Sequence, residues 1–568
     1  MMIIMFLSLS RSIVITGGLL LDSENDHLKV VFSTFISNRA YEDQANLVGG
    51  EAGAIEVHRQ NDGFTIDSCV FRDNNASFAG GAVKLGINNT QARIVNSSFA
   101  YNSLSTRGYG GAGVYLFKYN TNTTVDNCTI LRNVAPVGAG LYISRYSNGV
   151  HVTNSVFDSN AAMTSGGGAV WIRYGNSDIN FYGCNFTNNT SGGGEGGGAI
   201  NMFENNTNIM IQRSIFKDNE ASTSSNDGIG GGGAITIYES NSYVTLLDLL
   251  IQGNIGYPYG GGILIAKSNT YVTIAGSELS DNHALDGGGY YLHQYNDNFV
   301  IVSTDVFTDT SVVETSHPYS SILPIDKTPQ VILNKTISID HAEELTIVFD
   351  PQSALTGDDV LTIWTNSSQI EQLYYTNGNG RSFPGVGVPP LRFKRNSIFI
   401  LFTGPTENIF TDTKDYGFKL TVYPSGTYYS SNGDSMVRNN DAEGAGGGGM
   451  LYFLNDASVC IATVFEGNTA YGGGGMYVQA VNAGPFISSS TFDHNHAVSG
   501  GAISFSSSNY GTSIWETSIS HNTADLQGGG LEFDSGNGVG IYDIKVENII
   551  NISSCILYNN SALQGTCF

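Results

Sequence analysis

Short runs of alternating apolar and polar residues, cut by glycine-rich corners, fill most of the chain, without the three-to-four-residue apolar spacing of an amphipathic helix. Between Ala169 and Asn189, Val170 and Ile172 alternate with Trp171, and after a polar turn Ile179 and Phe181 resume the alternation. Alternation sends successive side chains to opposite faces, so this segment reads as strand, turn, strand, turn.

The frame returns about every thirty residues, marked by an apolar residue three before an Asn and then by a Gly-Gly corner. Phe35 with Asn38, Phe71 with Asn74, Phe99 with Asn102, Phe157 with Asn160, Phe186 with Asn189 and Phe216 with Asn219 carry the first half, which resumes at Phe465 with Asn468 and Phe492 with Asn495. Softer copies at Ile130, Ile251 and Leu279 bring Asn133, Asn254 and Asn282 into the series. Gly80-Gly81-Ala82-Val83, Gly167-Gly168-Ala169-Val170, Gly197-Gly198-Ala199-Ile200 and Gly232-Gly233-Ala234-Ile235 carry the second half.

Units this short bury an apolar face only by stacking on their neighbours, which predicts an all-β solenoid whose rungs pair in parallel and whose coil is right-handed. The Asn series Asn74, Asn102, Asn133, Asn160, Asn189, Asn219, Asn254 and Asn282 is expected to adopt the left-handed region at the corner and bond from rung to rung as a structural ladder. Loops between the Asn and the Gly-Gly corner vary in length, longest after Asn38 and Asn219, and leave one edge of the coil.

These motifs are similar to the polymorphic outer membrane protein repeats of bacterial adhesins, and more broadly the chain resembles the pectate-lyase-like right-handed β-helix superfamily. The resemblance covers roughly residues 17–307 and 436–560 and implies a surface-displayed, often adhesive β-helix. The chain departs from those adhesins in showing no C-terminal membrane barrel.

From 308 to 435 the Gly-Gly signature disappears and longer alternating segments near 345–351, 359–364, 396–402 and 416–424 take over. Three domains follow: β-helix over 1–307, an inserted antiparallel β-sandwich over 308–435, and β-helix again over 436–568. The strand order of the insert resembles a CUB domain, although it has no Cys. In calcium-using CUB domains acidic loop-end residues hold the ion, so the resemblance makes Asp350, Asp358 and Asp359 the candidate calcium ligands; no other cofactor is expected.

With 71 Gly against 12 Pro, the glycines at fixed corners exclude collagen and flexible linker. Net charge is −25, which argues against nucleic acid and anionic membranes as partners and favours glycans, cell-surface proteins or divalent cations. No run of eighteen apolar residues is present, so no transmembrane segment is expected in this chain. Gly17-Gly18-Leu19 already reads as part of a repeat, so the chain is expected to begin inside a solenoid. Thirteen Asn-x-Ser/Thr sequons, among them Asn75, Asn88, Asn96, Asn122, Asn185, Asn205, Asn334 and Asn551, fit an extracellular or cell-surface glycoprotein. Cys69, Cys128 and Cys184 fall on alternate rungs, about 9.6 Å apart, and are read as buried thiols. Cys555 and Cys567 could pair.

Chemistry on a β-helix needs carboxylates on adjacent rungs of one face. Asp67 and Asp126 hold equivalent positions two rungs apart with Val95 between them, and no nucleotide loop, zinc spacing or nucleophile elbow is present. The better candidate is an outward column on the strand after the Gly-Gly corner, Tyr115, Tyr142 and Trp171 on consecutive rungs and Asn201 on the next, read as a flat platform for sugar rings. Tyr119, Tyr146, Tyr174, Tyr238 and Tyr295 form a second column near the following turn. The expected function is non-catalytic adhesion or recognition of glycans or surface proteins. A polysaccharide lyase or glycoside hydrolase, and a structural fragment of a larger surface protein, are the alternatives.

Overall fold

The computed structural model describes residues 16–564 apart from 44–47, 223–228, 316–329, 356–358, 378–382, 385–388, 405–416, 426–433, 508, 510 and 535–549. It is an all-β, right-handed parallel β-helix with an inserted antiparallel β-sandwich. Each coil contributes one short strand to each of four parallel sheets. The chain divides into two units, Met1–Asn269 with Glu278–Tyr291 and Asn439–Gly444, and Thr270–Ser277 with Leu292–Arg438 and Ala445–Phe568.

In the first unit the strands after the Gly-Gly corners pair in order from Leu19–Ser23, through Ile55–Arg59, Val83–Ile87, Val114–Lys118, Leu141–Arg145, Val170–Tyr174 and Ile200–Glu204, to Ile235–Glu239 and Ile263–Lys267. From Ile55 onward their inward residues, Val170 and Ile172 among them, are fully buried. The signature phenylalanines stack along the interior, Phe71 on Phe99 at 4.7 Å and Phe186 on Phe216 at 4.6 Å, each nearly parallel. Such a pair adds about 0.5–1.5 kcal/mol to the area it buries.

Asn74, Asn102, Asn133, Asn160, Asn189, Asn219, Asn254 and Asn282 are buried, and each amide nitrogen donates to the Oδ1 of the next Asn at 2.9–3.0 Å. The left-handed conformation expected of them belongs instead to the residue before each, for example Asp73, Tyr101, Arg132 and Ser159 at φ between +47° and +58°. The corner residue turns the chain with its own side chain outside, which leaves the Asn free to point inward and bond the backbone carbonyl of the preceding coil as well.

Two further ladders were not anticipated. Asn61, Asn89 and Asn120 form one at another corner, continued by Asn176, Asn206, Asn241 and Asn269. Cys69, Cys128 and Cys184 alternate with serines in the other, each Cys amide donating to the hydroxyl of Ser97, Ser155 or Ser214 at 3.0 Å. These cysteines are free and buried, and burial pushes the Cys128 thiol up to about 12 and Cys184 up to about 11. Cys555 is also free, and Cys567 lies outside the described residues.

In the second unit the insert forms two four-stranded antiparallel sheets. One holds Ser311–Glu314, Lys419–Ser425, Glu344–Phe349 and Leu391–Phe393, the other Gln330–Ser338, Ser397–Gly404, Val360–Trp364 and Gln372–Asn377. Leu345, Ile347, Ile363, Ile400, Phe402 and Leu420 are fully buried in its core. The insert meets solenoid coils of the same unit through Asp350, which accepts from the Tyr271 hydroxyl and from Asn298 Nδ2, and through Arg392, which pairs with both Glu344 and Glu516.

The unit also holds two half-buried acids, Asp297 and Asp456, bridged on adjacent rungs. Burial pushes Asp297 up to about 6; burial and then the charge of Asp297 push Asp456 up to about 7. Between the ordinary carboxyl range and these values the folded chain binds more protons than the unfolded one, so this contribution to stability is complete below about pH 4 and is lost as pH rises towards 7. Thermal melts are expected to show the pair costing on the order of 2 kcal/mol more at pH 8 than at pH 5, after allowance for solvent screening. Asp456→Asn should narrow that difference, and an unchanged difference would contradict the assignment.

Candidate functional site

The outward column Tyr115, Tyr142, Trp171 and Asn201 is in register on consecutive strands, but it does not face solvent. Each of the four is at most 8 % exposed. Tyr115 lies 4.9 Å from Tyr142, and Tyr142 stacks on Trp171 at 4.7 Å. The corner loops fold back over the column: a side chain at Gly110 would meet the Tyr142 ring, and one at Gly166 would meet the Trp171 ring. Asn201 donates to the backbone carbonyl of Glu195 in the loop above it, and Thr236 bonds the corner backbone of Gly196 and Gly232. A solvent-facing platform at these positions is therefore corrected to a second, smaller core on the outside of the sheet.

The surface lies two residues further along the same strands. Phe117, Arg173, Phe203 and Tyr238 occupy that outward column and are all partly exposed. Phe203 and Tyr238 stack at 5.0 Å with planes 3° apart, and Phe203 meets the edge of buried Trp171 at 5.8 Å. The Arg173 guanidinium lies 5.3 Å over Trp171 and donates to the Tyr142 hydroxyl at 3.3 Å. The aromatic column read from sequence is thus the support on which the exposed one rests.

Charge is ordered along this strip. The strand-end residues Lys118, Arg145, Tyr174, Glu204, Glu239 and Lys267 pair in succession, so two cations stand at one end, two carboxylates follow after Tyr174, and a third cation closes the series. Tyr119 and Tyr146, exposed at left-handed corners, stack at 5.4 Å, with the Lys118 ammonium 4.6 Å over Tyr119. At the acidic end the Tyr238 hydroxyl donates to Glu195 Oε1 at 3.0 Å, and Lys267 stands 3.7 Å from Glu239. Burial, then the charges of Glu239 and Glu195, raise the Glu204 carboxyl above its ordinary range, with Arg173 opposing. Burial and then Glu195 push the Tyr238 hydroxyl strongly upward. Aromatic faces beside a guanidinium and perturbed carboxylates can stack on a ring and hydrogen-bond its hydroxyl groups.

Asp67 and Asp126 each pair with Val95 between them, so no carboxylate pair forms there. Of the proposed calcium ligands, Asp350 spends Oδ2 on Tyr271 and Asn298 and Oδ1 on the Gln352 amide, Asp359 is buried, and Asp358 lies outside the described residues. Arg173, Phe203 and Glu195 carried no signal in sequence beyond their offset from the Gly-Gly corner.

Residues 16–208 match the right-handed β-helix region family. No curated protein matches the chain. Among solved structures, two of the tailspike protein of E. coli bacteriophage HK620 are similar in part. A mutant in complex with a hexasaccharide is 8% identical, with 71% of this chain and 75% of that one covered and a TM-score of 0.26. The tailspike in complex with a pentasaccharide is 8% identical, with 71% and 76% covered and a TM-score of 0.24. Among the described residues no helix is long and apolar enough to cross a membrane.

Proposed function

We propose that this chain is a non-catalytic extracellular or cell-surface β-helix that recognises glycans, with the ligand lying across the coils on Phe203 and Tyr238. The observation that carries the reading is the partly exposed, parallel-stacked Phe203–Tyr238 pair on adjacent rungs, flanked by Arg173 and Glu195. Lys118, Arg145 and Arg173 favour a glycan bearing an acidic group at that end, in a chain otherwise strongly acidic. Exposed sequons at Asn88, Asn96, Asn122 and Asn205 support an extracellular setting. The Gly-Gly and Phe-x-x-Asn motifs support a polymorphic-outer-membrane-protein type of repeat, and the strand order of the insert supports a CUB-like module.

The test is a glycan array with neutral and acidic glycans, comparing wild type with Arg173→Ala/Phe203→Ala/Tyr238→Ala. Loss of two ring contacts and one cation is expected to weaken binding at least tenfold, or about 1.4 kcal/mol. Equal binding by both proteins would remove the site. A second reading, glycan cleavage, is favoured by the raised Glu204 carboxyl beside Glu239. Release of new reducing ends that stops in Glu204→Gln would replace recognition by catalysis.

A further inference from the structure

Asp493, His494 and His521 stand together on two consecutive coils of the second unit. The strand Thr491–Asp493 pairs with Ser518–Ser520, and each histidine follows its strand at a left-handed corner, φ +53° and +55°. In other coils this corner carries residues such as Asp73, Tyr101, Arg132, Ser159 and Asp218. Two imidazoles in succession place two ring nitrogens one rung apart, and the rings stack at 4.9 Å, 20° from parallel. His494 Nδ1 lies 2.7 Å from Asp493 Oδ2 and His521 Nδ1 lies 2.9 Å from Asp493 Oδ1, so both rings aim the same nitrogen at one carboxylate.

We propose that Asp493, His494 and His521 form a divalent transition-metal site on the outer surface of the solenoid. Their ligand atoms lie within 4.8 Å of one another, and among the described residues this is the one group of three or more such side chains that does. Tetrahedral bonds of about 2.0–2.1 Å separate ligand atoms by roughly 3.3 Å, so small rotations of the two rings open the present contacts to a coordination sphere. Two imidazoles and one carboxylate select zinc, cobalt, nickel or copper over calcium and magnesium, which prefer all-oxygen sites. On binding, each Nδ1 gives up any proton to solvent and offers its lone pair, and the proton stays on Nε2.

The surroundings suit such a site. The next residues, Asn495 and Asn522, are buried ladder members joined at 2.9 Å, which holds both histidine backbones. The Ser520 hydroxyl donates to Asp493 Oδ1 at 2.9 Å and orients the carboxylate. Tyr558 closes one side with its ring edge-on to His521 at 5.6 Å. The His494 side chain is 63% exposed, which leaves a fourth position to water or to a ligand from outside. The other histidine–acid contacts, His58 with Asp22, His283 with Asp441 and Glu443, and His496 with Asp525, bring one imidazole each.

The experiment is titration of the chelator-treated full chain with Co²⁺, followed by visible absorption, with Zn²⁺ competition. One equivalent of Co²⁺ is expected to bind with a tetrahedral spectrum that Zn²⁺ bleaches. His494→Ala and His521→Ala should each weaken binding at least tenfold with their apo melting temperatures unchanged, and His283→Ala should bind as wild type. Absence of a one-equivalent spectrum, or its persistence in both His494→Ala and His521→Ala, would overturn the proposal.

Discussion

Asn160→Ala is expected to cost roughly 3–5 kcal/mol, because it leaves several fully buried groups without partners at once. Asn160 Oδ1 accepts from the Asn133 backbone amide at 3.1 Å and from Asn133 Nδ2 at 2.9 Å. Its own Nδ2 donates to the Ile130 carbonyl at 2.9 Å and to Asn189 Oδ1 at 3.0 Å. Water has no route to replace these bonds, since Asn133, Asn160 and Asn189 are all completely buried. Urea denaturation followed by circular dichroism gives the loss, and hydrogen exchange should localise it to neighbouring coils, because a solenoid transmits stability mainly between adjacent repeats. Asn160→Asp separates this from a volume effect. The carboxylate would face the Ile130 carbonyl and Asn189 Oδ1, so its folded pKa is raised and protonation restores the donor; the variant should be rescued as pH falls below that value and not above it. Ser159→Gly, at the neighbouring corner with φ +55°, relieves a left-handed residue and should change stability by about 1 kcal/mol or less. An Asn160→Ala loss no larger than that would mean the ladder is decorative.

Arg392→Met is expected to cost about 3–5 kcal/mol at neutral pH, because it strands a buried carboxylate. The Arg392 side chain is 14% exposed and Glu344 only 4%, and the guanidinium also covers Trp515 at 4.7 Å. Glu516 is 32% exposed, so water compensates much of its share. Glu344 and Arg392 belong to the sandwich and Trp515 and Glu516 to a solenoid coil, so the loss should register as faster hydrogen exchange around 344–349 and 513–516 together. Arg392→Met/Glu344→Leu should recover most of the stability, since it removes the stranded charge with its partner. Equal destabilisation of single and double variants would assign the effect to lost packing on Trp515 instead.

The repeat was legible because its period is written in residues whose roles are local. A phenylalanine three before an Asn and a Gly-Gly corner dictate strand, corner and inward face wherever they occur. The Cys series could be placed for the same reason: Cys69, Cys128 and Cys184 keep one offset, so their burial follows from alternation. The serine rungs between them went unread because a hydroxyl in an Asn/Ser/Thr-rich chain does not announce an inward direction. The left-handed residue was misplaced by one, since Asn favours that conformation by itself but here is needed inside as a hydrogen-bonding rung.

Alternation along the strands determined from sequence alone that Tyr115, Tyr142 and Trp171 share the outer side of one sheet. Only the tertiary structure decided that this side is covered there, because corner loops of different lengths fold over it and each loop's path depends on the coil beneath. The exposed strip of Arg173, Phe203, Tyr238 and Glu195, and the meeting of His494 and His521 on Asp493, likewise depend on register between coils. Periodicity is a property of one coil and can be read along the chain; coverage and convergence are properties of neighbouring coils, set by how the backbone stacks.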